Sequence, residues 1–332
     1  ECRQIIVNRK RNLWERTIED EDFLTVRIGT GYVKPNIKIN YKEEEFQMED
    51  DALKNELKDL INKYNYVEES PLNTSFLENR VTAIIGSPSH LKSFFESLLL
   101  QIMTFHIFSE LKIVIFSDEK KIDDWDFMKF SPHCWDNQKQ TRFICGTPEE
   151  KKKVANYLEQ IIKTREEEIY GENEENKGGK EKAYLDVKPY YLIIIDSIDS
   201  TRSLEGIKRI LSMKDNLGFS VIIKNNRIAN LPSECSTFIN IDEEVSGLFK
   251  NNLNVENQKQ FKAEFNKTIN IEDCIQKLAN IHVDIPKEKH ELPKSVGFLE
   301  MYGIGNVGQF NSQDRWKNNN PVTSLSVPVG ID

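Results

Sequence analysis

From about residue 76 the chain alternates between short, almost wholly apolar runs and amphipathic stretches. Val81–Ile85, Lys112–Phe116, Thr141–Cys145, Tyr191–Ile195, Phe219–Ile223 and Thr237–Ile241 read as strands. Lys92–Phe108, Pro148 to about Tyr170, Leu204–Met213 and Ile271–Ile281 carry the longer spacing of helices. Strands apolar at nearly every position must be covered on both faces, so the pattern predicts an α/β domain with a mostly parallel sheet and helices on both sides. The first 75 residues differ. Asp22–Ile28 alternates as a strand, with Gly29-Thr-Gly31 expected to close it in a turn. Asn36–Asn40 is a second short alternating run, and Glu43–Asp51 holds six acids in nine residues and reads as a solvated linker. Leu53, Leu57, Leu60, Ile61 and Tyr64 repeat at helical spacing, and Pro71 is expected to end that segment.

This gives three regions: 1–75, a small β-rich N-terminal extension with a helix; 76–285, the α/β domain; and 286–332, a loop-like linker. Within the domain, Glu166–Lys182 carries ten charges in 17 residues around Gly178-Gly179 and is expected to be a mobile surface loop. No fixed-period repeat is present.

Charge and composition narrow the function. Lysines and arginines number 45 against 54 aspartates and glutamates, a net charge of −9, which argues against nucleic acid as a partner. No apolar run reaches the ~18 residues that span a bilayer. The five cysteines lack metal-ligand spacing and fit a reducing compartment. The chain opens on Glu1 without a signal peptide and reads as an internal piece of a longer protein.

Candidate chemistry gathers at strand ends. Gly86-Ser-Pro-Ser-His-Leu-Lys92-Ser93 follows a strand and opens a helix, matching three of the four fixed positions of the phosphate loop G-x-x-x-x-G-K-[ST]. Backbone N–H groups there would meet phosphates, with Lys92 on the phosphates and Ser93 on Mg²⁺. Leu91 stands where the second glycine belongs, and Pro88 removes an N–H. The segment is either a nucleotide site or a relic that keeps the shape of the fold without the ligand. Leu192–Ile195 runs into Asp196 as a Mg²⁺-anchoring strand would, the carboxylate holding the ion through water. The next residue is Ser197, where hydrolysis would call for a glutamate, and Asp199 comes two residues late. Asn226, after Phe219–Ile223, is placed to sense a γ-phosphate or simply to cap a strand. Trp125–Trp135, with His133 and Cys134, offers no metal-ligand partner pair and reads as aromatic packing under a loop.

In order along the chain, Trp14-Glu-Arg, Asp22-Phe-Leu-Thr-Val-Arg-Ile-Gly-Thr-Gly31, Trp125-Asp-Phe-Met-Lys-Phe-Ser-Pro-His133, Phe298-Leu-Glu-Met-Tyr302, Arg315-Trp316 and Ser324-Leu-Ser-Val-Pro-Val-Gly330 resemble the EssC/EccC family. These are the FtsK/SpoIIIE-type ATPases of bacterial type VII secretion, and the acidic, lysine- and asparagine-rich style resembles the Firmicute EssC branch. The resemblance covers nearly the whole chain. It implies a RecA-like, P-loop-NTPase-like fold in a membrane-proximal, ATPase-like domain with imperfect motifs, at the cytoplasmic face of the bacterial membrane. Ser324–Gly330 is similar to the lead-in to the next ATPase domain. The family's nucleotide residues map to Lys92, Ser93 and Asp196, with ATP and Mg²⁺ as implied ligands; Gly86 and Asn226 join them as candidates on the residue pattern alone. Leu91 and Ser197 depart from that pattern. The implied partners are downstream ATPase domains of the same polypeptide, membrane components of the secretion complex and, in the full assembly, further copies in a hexamer. Two roles follow: a degenerate ATPase acting as structural and regulatory coupler, or an active Mg-ATPase using Lys92 and Asp196 with an arginine from a neighbour. DNA translocation is disfavoured by the charge.

Overall fold

A computed structural model gives the architecture over residues 1–34, 52–64, 66–171, 182–196, 198–228, 231–242, 246–250 and 258–283. The run Asn36–Asn40, the acidic stretch Glu43–Asp51, Ser197, the greater part of the charged loop before Lys182, and the whole of 286–332 lie outside the described residues. Glu1–His282 form one compact unit; Val283–Asp332 form a second, of which only Val283 is described.

Along the chain the elements are α1 (Cys2–Asn8), β1 (Thr25–Val33), α2 (Ala52–Tyr64), β2 (Val67–Ser75), β3 (Val81–Ile85), α3 (Pro88–Phe105), β4 (Leu111–Phe116), β5 (Ile144–Cys145), α4 (Pro148–Tyr170), β6 (Tyr190–Ile195), α5 (Glu205–Ser212), β7 (Phe219–Asn225), β8 (Thr237–Asn240), β9 (Ser246–Lys250), β10 (Lys259–Ala263) and α6 (Ile271–Ala279). A 3₁₀ segment, Ile122–Met128, lies between β4 and β5. The strands form one ten-stranded sheet in the order β2-β1-β10-β9-β8-β3-β7-β6-β4-β5. Pairing is parallel from β8 to β5 and antiparallel from β8 out to β2.

The apolar strands are buried on both faces for the reason the sequence implies. Side chains alternate across the sheet. Ile113, Ile115, Leu192, Ile194 and Ile222 face a core with α3 and α6. Val114, Phe116, Ile193, Ile195, Val221 and Ile223 face the other core, with α4 and α5. Two helix starts follow local rules. Pro88 and Pro148 each occupy the first helical turn, where a missing N–H costs nothing. Thr147 and Glu150 complete a capping box on α4.

Three sequence expectations need correction. Gly29-Thr-Gly31 is not a turn but the middle of β1. A Cβ on Gly29 would sit 2.0 Å from the Lys262 carbonyl oxygen, and one on Gly31 would sit 2.8 Å from that of Gln260. Both glycines therefore allow β1 to approach β10. Pro71 does not end the helix, which stops at Tyr64; it lies within β2, an edge strand where a missing N–H is tolerated. Glu166–Tyr170 is the last part of α4 rather than loop, with Glu166 ion-paired to Arg209 and the Tyr170 hydroxyl donating to Asp215. The strands of the N-terminal region join the same sheet as the rest through β1 and β10.

Candidate functional site

In a parallel α/β sheet, ligands bind beyond the carboxyl ends of the strands. At that edge lie the ends of β3, β7, β6 and β4, and the sequence-predicted residues sit on or just after them.

After β3 only Gly86 and Ser87 separate the strand from the helix. Pro88, Ser89, His90 and Leu91, which would form the cradle of a phosphate loop, are the first turn of α3. Their N–H groups are largely used. Pro88 has none, the His90 N–H donates to Ser87 Oγ at 3.4 Å, and the Leu91 N–H donates to the Ser87 carbonyl at 2.9 Å. Leu91 is fully buried in the core, which explains an apolar residue at that position. Gly86 serves packing: a Cβ there would meet Ile241 Cγ1 at 2.6 Å.

Lys92 and Ser93 lie further along α3. Lys92 Nζ is 4.0 Å from Asp124 Oδ1, with both side chains about half exposed. The Ser93 hydroxyl donates to the Asn266 carbonyl at 2.6 Å, and the Asn266 N–H returns a bond to the Ser93 carbonyl at 3.1 Å. Asn266 Nδ2 also holds Glu96 Oε2 at 2.8 Å, and the His90 ring packs against Phe265 with centroids 5.2 Å apart. The start of α3 is thus docked onto the connection between β10 and α6.

Asp196 emerges one residue past the end of β6, as the sequence predicts, and its carboxylate is buried. Oδ1 receives Lys224 Nζ at 3.0 Å. Oδ2 accepts from Trp125 Nε1 at 3.0 Å and from Ser117 Oγ at 3.2 Å. Lys224, on β7, is itself buried, with Nζ 5.0 Å from the centre of the Trp125 ring. Asn226 is exposed just beyond β7, and its N–H donates to Asn225 Oδ1 at 2.9 Å. The structure therefore groups Asp196 with Lys224, Trp125 and Ser117, while Lys92 and Ser93 make their contacts with Asp124 and Asn266.

The sequence pattern does not single out Lys224 and presents Trp125 only as packing. Trp125 does pack, edge-on to Phe95 at 5.6 Å and stacked on Phe127 at 6.1 Å, but its indole N–H is also a ligand of the carboxylate. The available signal was a lysine ending an otherwise apolar strand. Among the described residues, no group of three or more His, Cys, Asp or Glu is arranged to hold a metal ion. His133 lies buried with Nε2 on the His106 carbonyl at 2.9 Å.

No protein-family model matches the chain. It is 25% identical over 331 residues to the type VII secretion system protein EssC of Staphylococcus aureus (strain NCTC 8325 / PS 47), an alignment covering 100% of this chain and 22% of that protein. To the ESX secretion system protein YukB of Bacillus subtilis (strain 168) it is 22% identical over 328 residues, covering 96% and 20%. The chain is a homologue of the EssC/EccC type VII secretion proteins. It spans about a fifth of the length of these relatives. Among solved structures, the cytoplasmic domain of the Thermomonospora curvata type VII secretion ATPase EccC matches with a TM-score of 0.52 and 14% identity, over 82% of this chain and 33% of that one. EssC (ATPases 2 and 3) from Geobacillus thermodenitrificans matches with a TM-score of 0.50 and 13% identity, over 81% and 51%. These likenesses fix the fold as that of the EssC/EccC ATPase domains.

The solved structures that share this fold are ATPases, so the donor set can be tested for fit to ATP and Mg²⁺. A phosphate cradle needs free, converging N–H groups, and the first turn of α3 has spent most of its own. A magnesium site needs a serine hydroxyl and a carboxylate oxygen free to face the ion. Here the Ser93 hydroxyl is committed to Asn266, and both Asp196 oxygens are engaged by protein donors. With the side chains so placed, these residues do not fit a magnesium–nucleotide.

Proposed function

We propose that this chain is a membrane-proximal, degenerate ATPase-like domain of an EssC-type secretion motor. In this reading it couples membrane components of the complex to downstream ATPase domains of the same polypeptide without turning over nucleotide itself. Its place is the cytoplasmic face of the membrane, and further copies, six in a closed ring, are its neighbours in the assembly. Among the described residues no helix is long and apolar enough to cross a membrane.

One observation carries the proposal. The segment that would cradle phosphate is a helical turn, and its serine is tied to Asn266. That arrangement supports a role resting on the shape of the domain rather than on chemistry at this edge. The alternative, an active Mg-ATPase working through Lys92 and Asp196, would need α3 to unwind over Pro88–Leu91 and Asp196 to release Lys224.

A phosphate-release assay with Mg²⁺-ATP separates the two. The expected result is no turnover above buffer. Turnover of about 1 s⁻¹, the low end for ordinary enzymes, that vanishes in Lys92→Ala would establish the alternative.

A further inference from the structure

The contact between Lys224 and Asp196 is more than an ion pair that happens to be buried. Asp196 stands at the carboxyl edge of a parallel sheet, one residue past the last pair of β6 and β7, Ile195 and Ile223. Its two oxygens are used differently. Two neutral donors, the Trp125 indole and the Ser117 hydroxyl, both bond Oδ2 and fix the orientation of the carboxylate. The other oxygen, Oδ1, is aimed at a positive charge. A carboxylate that holds a metal is arranged the same way: outer hydrogen bonds orient it and one oxygen is left for the ion. Here the charge arrives on the neighbouring strand, as the ammonium of Lys224, with the face of Trp125 5.0 Å away as a second favourable partner.

We propose that Lys224 is a built-in counter-cation, permanently filling the place beside Asp196 where a nucleotide-dependent domain would set its divalent ion. An ion that leaves with product lets its surroundings change with each turnover. An ammonium tethered to β7 does not leave. The charge-linked group of Asp196, Lys224 and Trp125 therefore ties the 3₁₀ segment Ile122–Met128 to the sheet in one fixed state. Lys92 approaches the same segment from α3 through Asp124. The carboxyl edge is thereby a constitutive surface, independent of any nucleotide. This inference builds on the nucleotide-independent reading above, yet it concerns Asp196 and Lys224 and fails separately from it.

The test uses thermal unfolding of the whole chain, with Trp125 left in place. Lys224→Met removes the charge and keeps the length of the side chain. It should lower the midpoint by roughly 10 °C, because it leaves a buried carboxylate unpaired. Adding Asp196→Asn, which keeps an acceptor for Trp125 and Ser117, should recover more than half of that loss. The wild-type midpoint should be the same in millimolar MgCl₂ as in NaCl of equal ionic strength. If Lys224→Met fails to fold, recovery of folding in the double variant supports the proposal equally, and failure of both variants overturns it. The proposal is also overturned by an unchanged midpoint in Lys224→Met, or by no recovery in the double variant. A Mg²⁺ stabilisation of the wild type that disappears in Asp196→Asn overturns it as well. Nucleotide binding that depends on Lys92 but leaves these midpoints as stated would instead defeat the functional reading alone.

Discussion

His106 ends α3 with both ring nitrogens committed. Nδ1 donates to the Ile102 carbonyl at 2.9 Å, and Nε2 accepts the Leu24 N–H at 3.0 Å, tying the helix to the start of β1. His133 donates from Nε2 to the His106 carbonyl at 2.9 Å. Both rings are held neutral at pH 7, and for His106 the acceptor role of Nε2 itself requires it. Burial is the main cause, holding His106 at about 4 and His133 at about 3, and the charges of Arg16 and Lys112 respectively push the same way. The folded values lie below the ordinary 6.5 of an unfolded histidine. The stability they represent is therefore fully present above pH 6.5 and is lost as pH falls from 6.5 towards 4 for His106 and towards 3 for His133. At pH 5 each ring should cost on the order of 2 kcal/mol relative to pH 7. Urea unfolding at the two pH values should show this difference, and His133→Gln should remove about half of it. Equal stability at pH 7 and pH 5 would mean that the rings are not held neutral.

At the scale of elements, β1 connects the antiparallel part of the sheet to its edge, and it can do so only because Gly29 has no side chain. The atom that a Cβ would strike is a backbone oxygen of Lys262, 2.0 Å away, which no rotamer change can move. Gly29→Ala should destabilise the protein by about 2–3 kcal/mol and speed amide exchange in β10, Lys259–Ala263. Unchanged exchange there would show that β10 does not depend on this approach. The same elements mark what was legible beforehand. The strands β3, β4, β6 and the body of β7 announce themselves because a doubly covered strand is apolar at nearly every position. The strands β2, β9 and β10 do not. Lys259-Gln-Phe-Lys-Ala263 buries only Phe261 and Ala263, and its pairing rests on backbone bonds that any sequence can make. Gly-Thr-Gly31 reads as a turn because glycine usually punctuates, and the strand that requires it lies more than 200 residues later. Asp196 was legible as the polar end of an apolar strand. Its pairing with Lys224 was not, because nothing local says that β7 lies beside β6.

At the scale of the whole molecule, the parallel strands form the framework that elsewhere presents a ligand crevice at its carboxyl edge. Among the described residues at that edge, three lysines each face an aspartate: Lys92 with Asp124, Lys151 with Asp118 and Lys224 with Asp196. These three cations are neutralised within the domain, and the Ser93 hydroxyl and most N–H groups of the first turn of α3 are bonded internally. The net charge of −9 adds a further penalty for an anionic ligand at low salt. In the function proposed above, the domain keeps its fold and its carboxyl edge without nucleotide. Calorimetric titration of the chain with Mg²⁺-ATP tests this most directly. Only heats of dilution are expected up to millimolar nucleotide; a saturable isotherm that is abolished by Lys92→Ala would establish a working nucleotide site instead.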